Sequence, residues 1–206
     1  MQTAIECNIR RIMHVSTDEV YGESDDKNKI ETDRLNPTNP YSASKASADL
    51  LVRSYFRTHG LDVVTTRCSN NYGPNQYPEK IIPLFVTNLI DNLKIPVYGD
   101  GKNSRDWLHV DDHCFGIYLA LNSGKAGEIY NIGGGAELSN IDLTLLILNQ
   151  LGKNETYINY VTDRKGHDLR YSVNIDKIST ELGYSPKKRF TESLPETIQW
   201  YINNEK

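Results

Sequence analysis

Cysteine is scarce: Cys7, Cys68 and Cys114 are the only three in 206 residues. No two lie close together and the count is odd, so no disulfide framework is read from them. Reduced thiols of a cytoplasmic protein are expected instead. No apolar run approaches the roughly 20 residues that span a bilayer. No basic-then-apolar segment opens the chain, so neither membrane nor secretory apparatus is an expected partner. The triplet Asn154-Glu155-Thr156 matches a glycosylation acceptor and, without a secretion signal, is read as incidental. Long Lys/Arg runs are missing too, and the formal net charge is −4. Phosphate backbones are held by clustered cations, so nucleic acid is not expected either. Internal repeats and low-complexity tracts are absent. What is present is an ordinary balance, 38% hydrophobic and 24% charged, in a chain long enough to bury roughly 70% of its unfolded surface.

Strand-like and helix-like stretches alternate. Arg11–Ser16 reads as a strand. "NPYSASKASADLLVRSYFRTHG" reads as a helix with Asn39 as N-cap, Pro40 at its first position and Gly60 as its stop. "DVVTTRC" is a buried strand and "PEKIIPLFVTNLIDN" a helix entered at a proline. A strand "IPVYG", a loop "GDGKNSRD", a strand "WLHV" and a helix over 112–122 follow, then the strand "EIYNIG". Ser139 and Asp142 stand at capping-box spacing before a helix that closes on Gly152. One more strand after Tyr157, a polar loop "TDRKGHDLR" and two helices complete the pattern. Such alternation predicts an α/β chain with a doubly wound, largely parallel sheet. Shorter strands and more Gly and Arg after Ile95 divide it into residues 1–94 and a smaller α/β subdomain over 95–206. "MQTAIECNIRR" reads as the tail of a helix feeding the first strand, which leaves that strand an exposed edge. The chain is therefore expected to be the second half of something larger.

Chemistry concentrates at two places. In "YSASK", Tyr41 and Lys45 stand four apart, on one helical face. A phenol with a pKa near ~10 is a poor base at neutral pH, and a neighbouring ammonium lowers it. The pair then suits acid–base work on a hydroxyl being oxidised, although the same spacing suits a plain surface helix. In "STDEVYG", Thr17, Asp18 and Glu19 follow a strand whose carboxyl end is where open parallel sheets bind ligands. Two carboxylates in different surroundings divide into an acid and a base; the alternative is a turn with solvated acids. His109 and His113 imitate a metal pair, but no third ligand is evident, and strand-end and helix-cap roles are expected. Gly133–Gly135 read as a tight turn rather than a phosphate loop.

The blocks "STDEVYGE", "NPTNPYSASKASAD", "TTRCSNNYGPNQYPEKIIPLF", "YGDGKNSRDWLHVDDH", "EIYNIGGG" and "GHDLRYS" together resemble the nucleotide-sugar 4,6-dehydratases of the extended short-chain dehydrogenase/reductase family. The nearest likeness is to the branch acting on dTDP-glucose. The resemblance covers essentially the whole chain, in order. It implies the C-terminal part of a Rossmann-type sheet plus a substrate-binding subdomain, the cofactor NAD and a homodimer. Tyr41 would take the C4 hydroxyl proton, Lys45 would lower its pKa and hold the nicotinamide ribose, and Thr17 would orient the hydroxyl. Glu19 would remove the C5 proton while Asp18 protonates the departing C6 hydroxyl. Cys68 would lie near the nicotinamide. Asn70 and Lys80 would meet the sugar–diphosphate region, Tyr98 the base, and Arg105, Arg164, Asn140 and His167 the diphosphate pocket. No metal is implied.

The sequence departs from the family in lacking the Gly-rich dinucleotide fingerprint, and in carrying Lys165 for a proline and Asn174 for an aspartate. An isolated chain of this length is therefore expected to be inactive while encoding a dehydratase site. Two readings stand beside this one, a UDP-glucose 4,6-dehydratase and a non-catalytic nucleotide-sugar-binding module.

Overall fold

β-Branched residues at Val63, Val64, Thr65 and Thr66 suit a strand buried on both faces, and that strand is the centre of the molecule. In the computed structural model, which describes residues 1–204, it lies between two others in a parallel sheet of order β1-β2-β6. The helices in chain order are α1 (Gln2–Glu6), α2 (Pro40–His59), α3 (Ile81–Ile90), α4 (Val110–Ser123), α5 (Asn140–Gln150), α6 (Asp176–Leu182) and α7 (Phe190–Asn204). The strands are β1 (Ile12–Thr17), β2 (Val63–Cys68), β3 (Asn70–Tyr72), β4 (Ile95–Tyr98), β5 (Ser104–His109), β6 (Ile129–Ile132), β7 (Glu137–Ser139), β8 (Ile158–Val161) and β9 (Arg170–Tyr171).

Side chains alternate across β2. Val64 joins Ala120, Tyr130, Ile132 and Ile178 in an apolar cluster under α4 and α6. Arg67 points the other way, where Asp49 of α2 accepts from its Nε at 2.9 Å. Helices thus cover both faces, as the alternating pattern predicts. β1 and β6 are the outer strands, and Val15 on β1 is 40% exposed. Thr17 pairs with Cys68 in register, so β1 and β2 end level with one another.

α2 begins and ends where its signals say. The Asn39 side chain accepts from the Ser42 amide at 2.9 Å, and the Ser42 hydroxyl accepts from the Asn39 amide at 3.2 Å. Pro40 fills the first position and Gly60 takes a left-handed conformation, which a residue without Cβ adopts cheaply. Ser139 caps α5 by accepting from the Asp142 amide at 3.1 Å. α3 starts at Ile81 rather than at Pro78. Pro83 sits within its first turn, where a missing N–H costs no helical bond.

A second body packs α3, α5 and α7 around Phe85, Leu89, Ile95, Trp107, Leu143, Ile147, Leu194 and Ile198. β5 pairs in parallel with β3 and β9 and antiparallel with β7, while β4 pairs with β8. Here the structure corrects the sequence reading. β5 starts at Ser104, not Trp107, because Arg105 and Asp106 are buried at 6% and 3% exposure rather than solvated in a loop. The polar stretch read as loop holds the short strand β9 at Arg170, and β3 and β7 lie in stretches given no element by the sequence reading.

Candidate active site

β1 delivers Thr17 to the rim of the sheet, and the chain then turns through a 3₁₀ helix, Asp18–Tyr21. The Thr17 hydroxyl accepts from the Glu19 amide at 3.3 Å and donates to Asp18 Oδ1 at 3.2 Å. Gly22 closes the turn with φ +68°, and a Cβ there would lie 2.1 Å from the Asn36 carbonyl oxygen. Only glycine meets both demands. The two acids are thereby held in different surroundings. Asp18 is 4% exposed and its Oδ2 has no partner among the described residues, whereas Glu19 is half-buried.

Burial pushes the Asp18 carboxyl up to about 7, with Glu19 and Asp106 adding to the rise and Thr17 and Arg105 opposing it. Burial also raises Glu19, against the Asn39 side chain, Arg105 and Lys80. A carboxyl near neutrality can hold a proton to give.

Tyr41, at the start of α2, is 54% exposed. Its pKa is raised by burial of the phenol and then by Glu19, Cys68 and Asp18, with the Thr17 hydroxyl acting in the lowering sense. The expected lowering by Lys45 is not what this arrangement gives. The Lys45 ammonium donates to the Val15 carbonyl at 2.8 Å, and burial of the phenol, with the acids second, sets the direction of the Tyr41 shift. Cys68 is half-buried, its thiol pushed up to about 12 by burial first and by Asp18 second; it donates to the Ser16 carbonyl at 3.6 Å. A thiol so held is an inert wall rather than a nucleophile. Thr17, Asp18, Glu19, Tyr41, Lys45 and Cys68 therefore share one crevice at the ends of β1 and β2.

Arg105 is placed differently from a free phosphate clamp. Its guanidinium donates to the backbone carbonyls of Ser104 at 2.6 Å, Leu169 at 3.3 Å and Asp168 at 3.0 Å, and it lies 4.4 Å from the Tyr171 ring centroid. It fastens the 168–169 segment over the crevice and still acts on both Asp18 and Glu19. Arg164, Tyr98 and His167 form a second group: the Arg164 guanidinium lies 5.0 Å from the Tyr98 ring, and His167 Nδ1 meets Asp163 at 2.7 Å. Asn140 opens α5, its amide donating to the Asn103 carbonyl, while Asn103 donates from its side chain to the Asp168 carbonyl. Lys80 is exposed at the start of α3, and Asn70 is half-buried at the start of β3.

Several contributors escaped the sequence reading. Asp106 accepts from the amides of Gly134 and Ala136 at 2.9 and 2.8 Å and so shapes the glycine turn. Asp168 accepts from the hydroxyls of Thr38 and Tyr171, tying the polar loop to the segment before α2. The "SRD" and "GHD" blocks flagged these stretches without revealing those bonds. His109 ends β5 and caps α4 by accepting from the Asp111 amide at 3.2 Å. His113 is pushed down to about 4 by burial. Among the described residues, no cluster of three or more His, Cys, Asp or Glu is placed to hold a metal. Asn154 accepts from Thr156 and opens a short turn. No helix among the described residues is long and apolar enough to cross a membrane.

A parallel sheet with helices on both faces, and a tyrosine, a lysine and two unlike acids at its carboxyl edge, defines an α/β protein of the Rossmann type. The chain belongs to the family described as GDP-mannose 4,6 dehydratase, whose model matches residues 1–197. It is 56% identical to a dTDP-glucose 4,6-dehydratase of Actinoplanes sp., over 99% of this chain and 64% of that protein. Among solved structures it is similar to DesIV, a dTDP-glucose 4,6-dehydratase from Streptomyces venezuelae with NAD and TYD bound. The TM-score is 0.98 at 55% identity, covering 98% of this chain and 63% of that one. A dTDP-glucose 4,6-dehydratase from Bacillus anthracis in complex with NAD gives a TM-score of 0.95 at 49% identity, over 99% of this chain and 65% of that one. The chain thus spans somewhat under two thirds of the length of these relatives.

Proposed function

We propose that this chain carries the proton-transfer and sugar-nucleotide site of a NAD-dependent dTDP-glucose 4,6-dehydratase. The reaction oxidises C4 of the hexose, eliminates water across C5–C6 and reduces C6, giving dTDP-4-keto-6-deoxyglucose. One observation carries the reading: adjacent acids, one buried near neutrality and one half-buried, face the same crevice as Tyr41. Oxidation alone needs only Tyr41; removing water needs an acid and a base as well.

The residues fit the nicotinamide end of NAD. Tyr41 and Lys45 stand at the open mouth, Cys68 forms a wall, and the buried Asp18 Oδ2 and Ser69 Oγ are unpartnered. Among the described residues no glycine-rich strand-to-helix turn serves its pyrophosphate. When bound, NAD supplies the acceptor and then the donor of hydride. Tyr41 would receive the C4 hydroxyl proton as a phenolate, a form that burial and the nearby acids disfavour and that Lys45 and the positive charge of bound NAD⁺ would favour. Thr17 orients that hydroxyl and Lys45 holds the ribose. The C4 ketone acidifies C5–H, Glu19 removes that proton, and Asp18 gives its own to the C6 hydroxyl as water leaves.

The nucleotide side falls mainly to residues 95–206, with Tyr98 at the base and Arg164, Asn140 and His167 around the diphosphate, while Arg105 holds the 168–169 segment in place; Asn70 and Lys80 reach the sugar. A homodimer in the cytoplasm completes the proposal. Exposed Leu50 and Leu51 on α2 and Tyr118 on α4 are consistent with a helix-built interface.

The test incubates the chain with NAD⁺ and dTDP-glucose, or UDP-glucose in parallel, and reads the absorbance of the 4-keto product in alkali. Each assay is run with and without the Gly-rich N-terminal segment of a relative supplied as a separate polypeptide. Product from dTDP-glucose in excess of that from UDP-glucose is expected in the supplemented assay. No product from either nucleotide overturns the proposal.

A further inference from the structure

Five candidate catalytic side chains come from three elements: β1, the turn after it, and α2. What holds those elements at a fixed separation is a chain of buried polar groups outside the reaction itself. Arg67 of β2 is 3% exposed, Asp49 of α2 is 5% exposed and Tyr21 of the turn is 2% exposed. Arg67 Nε donates to Asp49 Oδ2 at 2.9 Å, and the other oxygen of Asp49 meets His14 Nε2 of β1 at 2.9 Å. The face of the Arg67 guanidinium lies 4.7 Å from the centroid of the Tyr21 ring. The Tyr21 hydroxyl donates to Asn131 Oδ1 of β6 at 2.8 Å. One guanidinium thus touches the helix and the turn at once.

The spacing along the chain gives these contacts their leverage. Asp49 lies one helical turn beyond Lys45, and Tyr21 two residues beyond Glu19. Arg67 immediately precedes Cys68, which is opposite Thr17 in the sheet. A planar, permanently charged group can pair with a carboxylate along its edge and stack on a ring with its face, which an ammonium cannot do. Its Nη1 has no partner among the described residues, and the guanidinium borders a cavity of about 720 Å³ between α2 and the 31–35 segment. Asp49 on one side and Tyr21, through its ring and its hydroxyl, are therefore the contacts that fix the guanidinium.

We propose that Arg67, with Asp49 and Tyr21, is a positioning unit: it sets the distance between the Tyr41–Lys45 helix and the Asp18–Glu19 turn and keeps that turn pressed into the interior. The role assigned to those acids rests on the dehydratase reading. The positioning itself does not, and it can be read without turnover.

The experiment follows the titration of Asp18 by carboxyl ¹³C NMR in the full chain, in Arg67→Lys and in Tyr21→Phe. Neither substitution changes formal charge, and the groups facing Asp18 (Thr17, Glu19, Asp106 and Arg105) stay in place. A shift therefore reports the seating of the turn. With the stacked plane lost in Arg67→Lys, the proton affinity of Asp18 is expected to fall at least tenfold as water reaches it. Tyr21→Phe, losing only the hydroxyl bond, is expected to shift it in the same direction by less. Folding is checked by circular dichroism, and if Arg67→Lys does not fold, Tyr21→Phe decides. An Asp18 midpoint unchanged in the folded variants, or an ordinary carboxylate midpoint in the parent, overturns the proposal. No product from the parent in the supplemented assay, alongside the expected shifts, would count against the dehydratase reading alone.

Discussion

Replacing Asp18 by Asn separates what the acid does from what it costs. In the folded chain this carboxyl is held near about 7 rather than 3.8, chiefly by burial. Each tenfold difference in proton affinity is about 1.4 kcal/mol, so ionising Asp18 in the fold costs on the order of 4 kcal/mol more than in the unfolded chain. The sign follows from which state holds the proton. Between roughly pH 4 and pH 7 the unfolded chain has released it while the folded chain keeps it, so folding stability falls as pH rises through that window. Above it the full cost is present. Asn carries no such cost. Urea unfolding of Asp18→Asn and the parent, at steps from about pH 4.5 to pH 8, should therefore show a stability difference drifting toward the variant by about 3–4 kcal/mol. The dehydratase activity proposed above should be lost in the same protein, since active sites commonly give up stability for function. A stability difference constant across the whole range would refute the claim that Asp18 is a buried acid.

Four other variants probe the frame around the pair. Asp49→Ala leaves Arg67 buried without its carboxylate and should cost about 3–5 kcal/mol in chemical denaturation, while Asp49→Leu combined with Arg67→Met should cost markedly less. Gly22→Ala must accept both a left-handed φ and a Cβ pressed into the Asn36 carbonyl, so a loss of at least ~2 kcal/mol is expected by the same measurement. Asn39→Ala removes the cap of α2, for about 1 kcal/mol, and also a hydrogen bond that lowers the Glu19 pKa. The Glu19 midpoint in carboxyl NMR should accordingly move up.

The sequence was most readable where one local rule decides the outcome. The bounds of α2 follow from Asn39, Pro40 and Gly60, each of which acts through its own backbone or its neighbour's. The start of α5 follows from Ser139 in the same way. β5 was read three residues short because Ser104, Arg105 and Asp106 look like loop, and only distant partners reveal that they are buried. Arg105 is satisfied by carbonyls more than sixty residues away, and Asp106 by amides about thirty residues away. The positions of Tyr41, Lys45, Asp18 and Glu19 could be read from spacing. The direction of the Tyr41 shift could not. The Lys45 neighbour is visible in a four-residue spacing, but the burial that raises the phenol and the acids that add to it come from the fold and from another element.

Adjacent acids at a strand end would ordinarily repel one another into solvent. The backbone that follows β1 explains why these do not. A 3₁₀ helix advances three residues per turn, so consecutive side chains point about 120° apart. Asp18 is rotated into the interior, and Glu19 turns toward the mouth, beside Asn39 and Lys80. An α-helical continuation would rotate successive residues by a similar angle but would carry the chain onward, away from the sheet edge. Gly22 instead breaks the turn after one revolution, and the amide of Asn36 fastens it by donating to the Val20 carbonyl at 3.0 Å. The strand end, the single tight turn and the glycine together hold two chemically near-identical residues in unlike surroundings one residue apart, as the proposed donor and acceptor require. On this view the acid–base division is a property of backbone geometry first and of the surrounding charges second. Moving the turn should therefore disturb both acids together, as should changing Arg105, whereas changing Asp106 should disturb mainly Asp18 and changing Lys80 mainly Glu19.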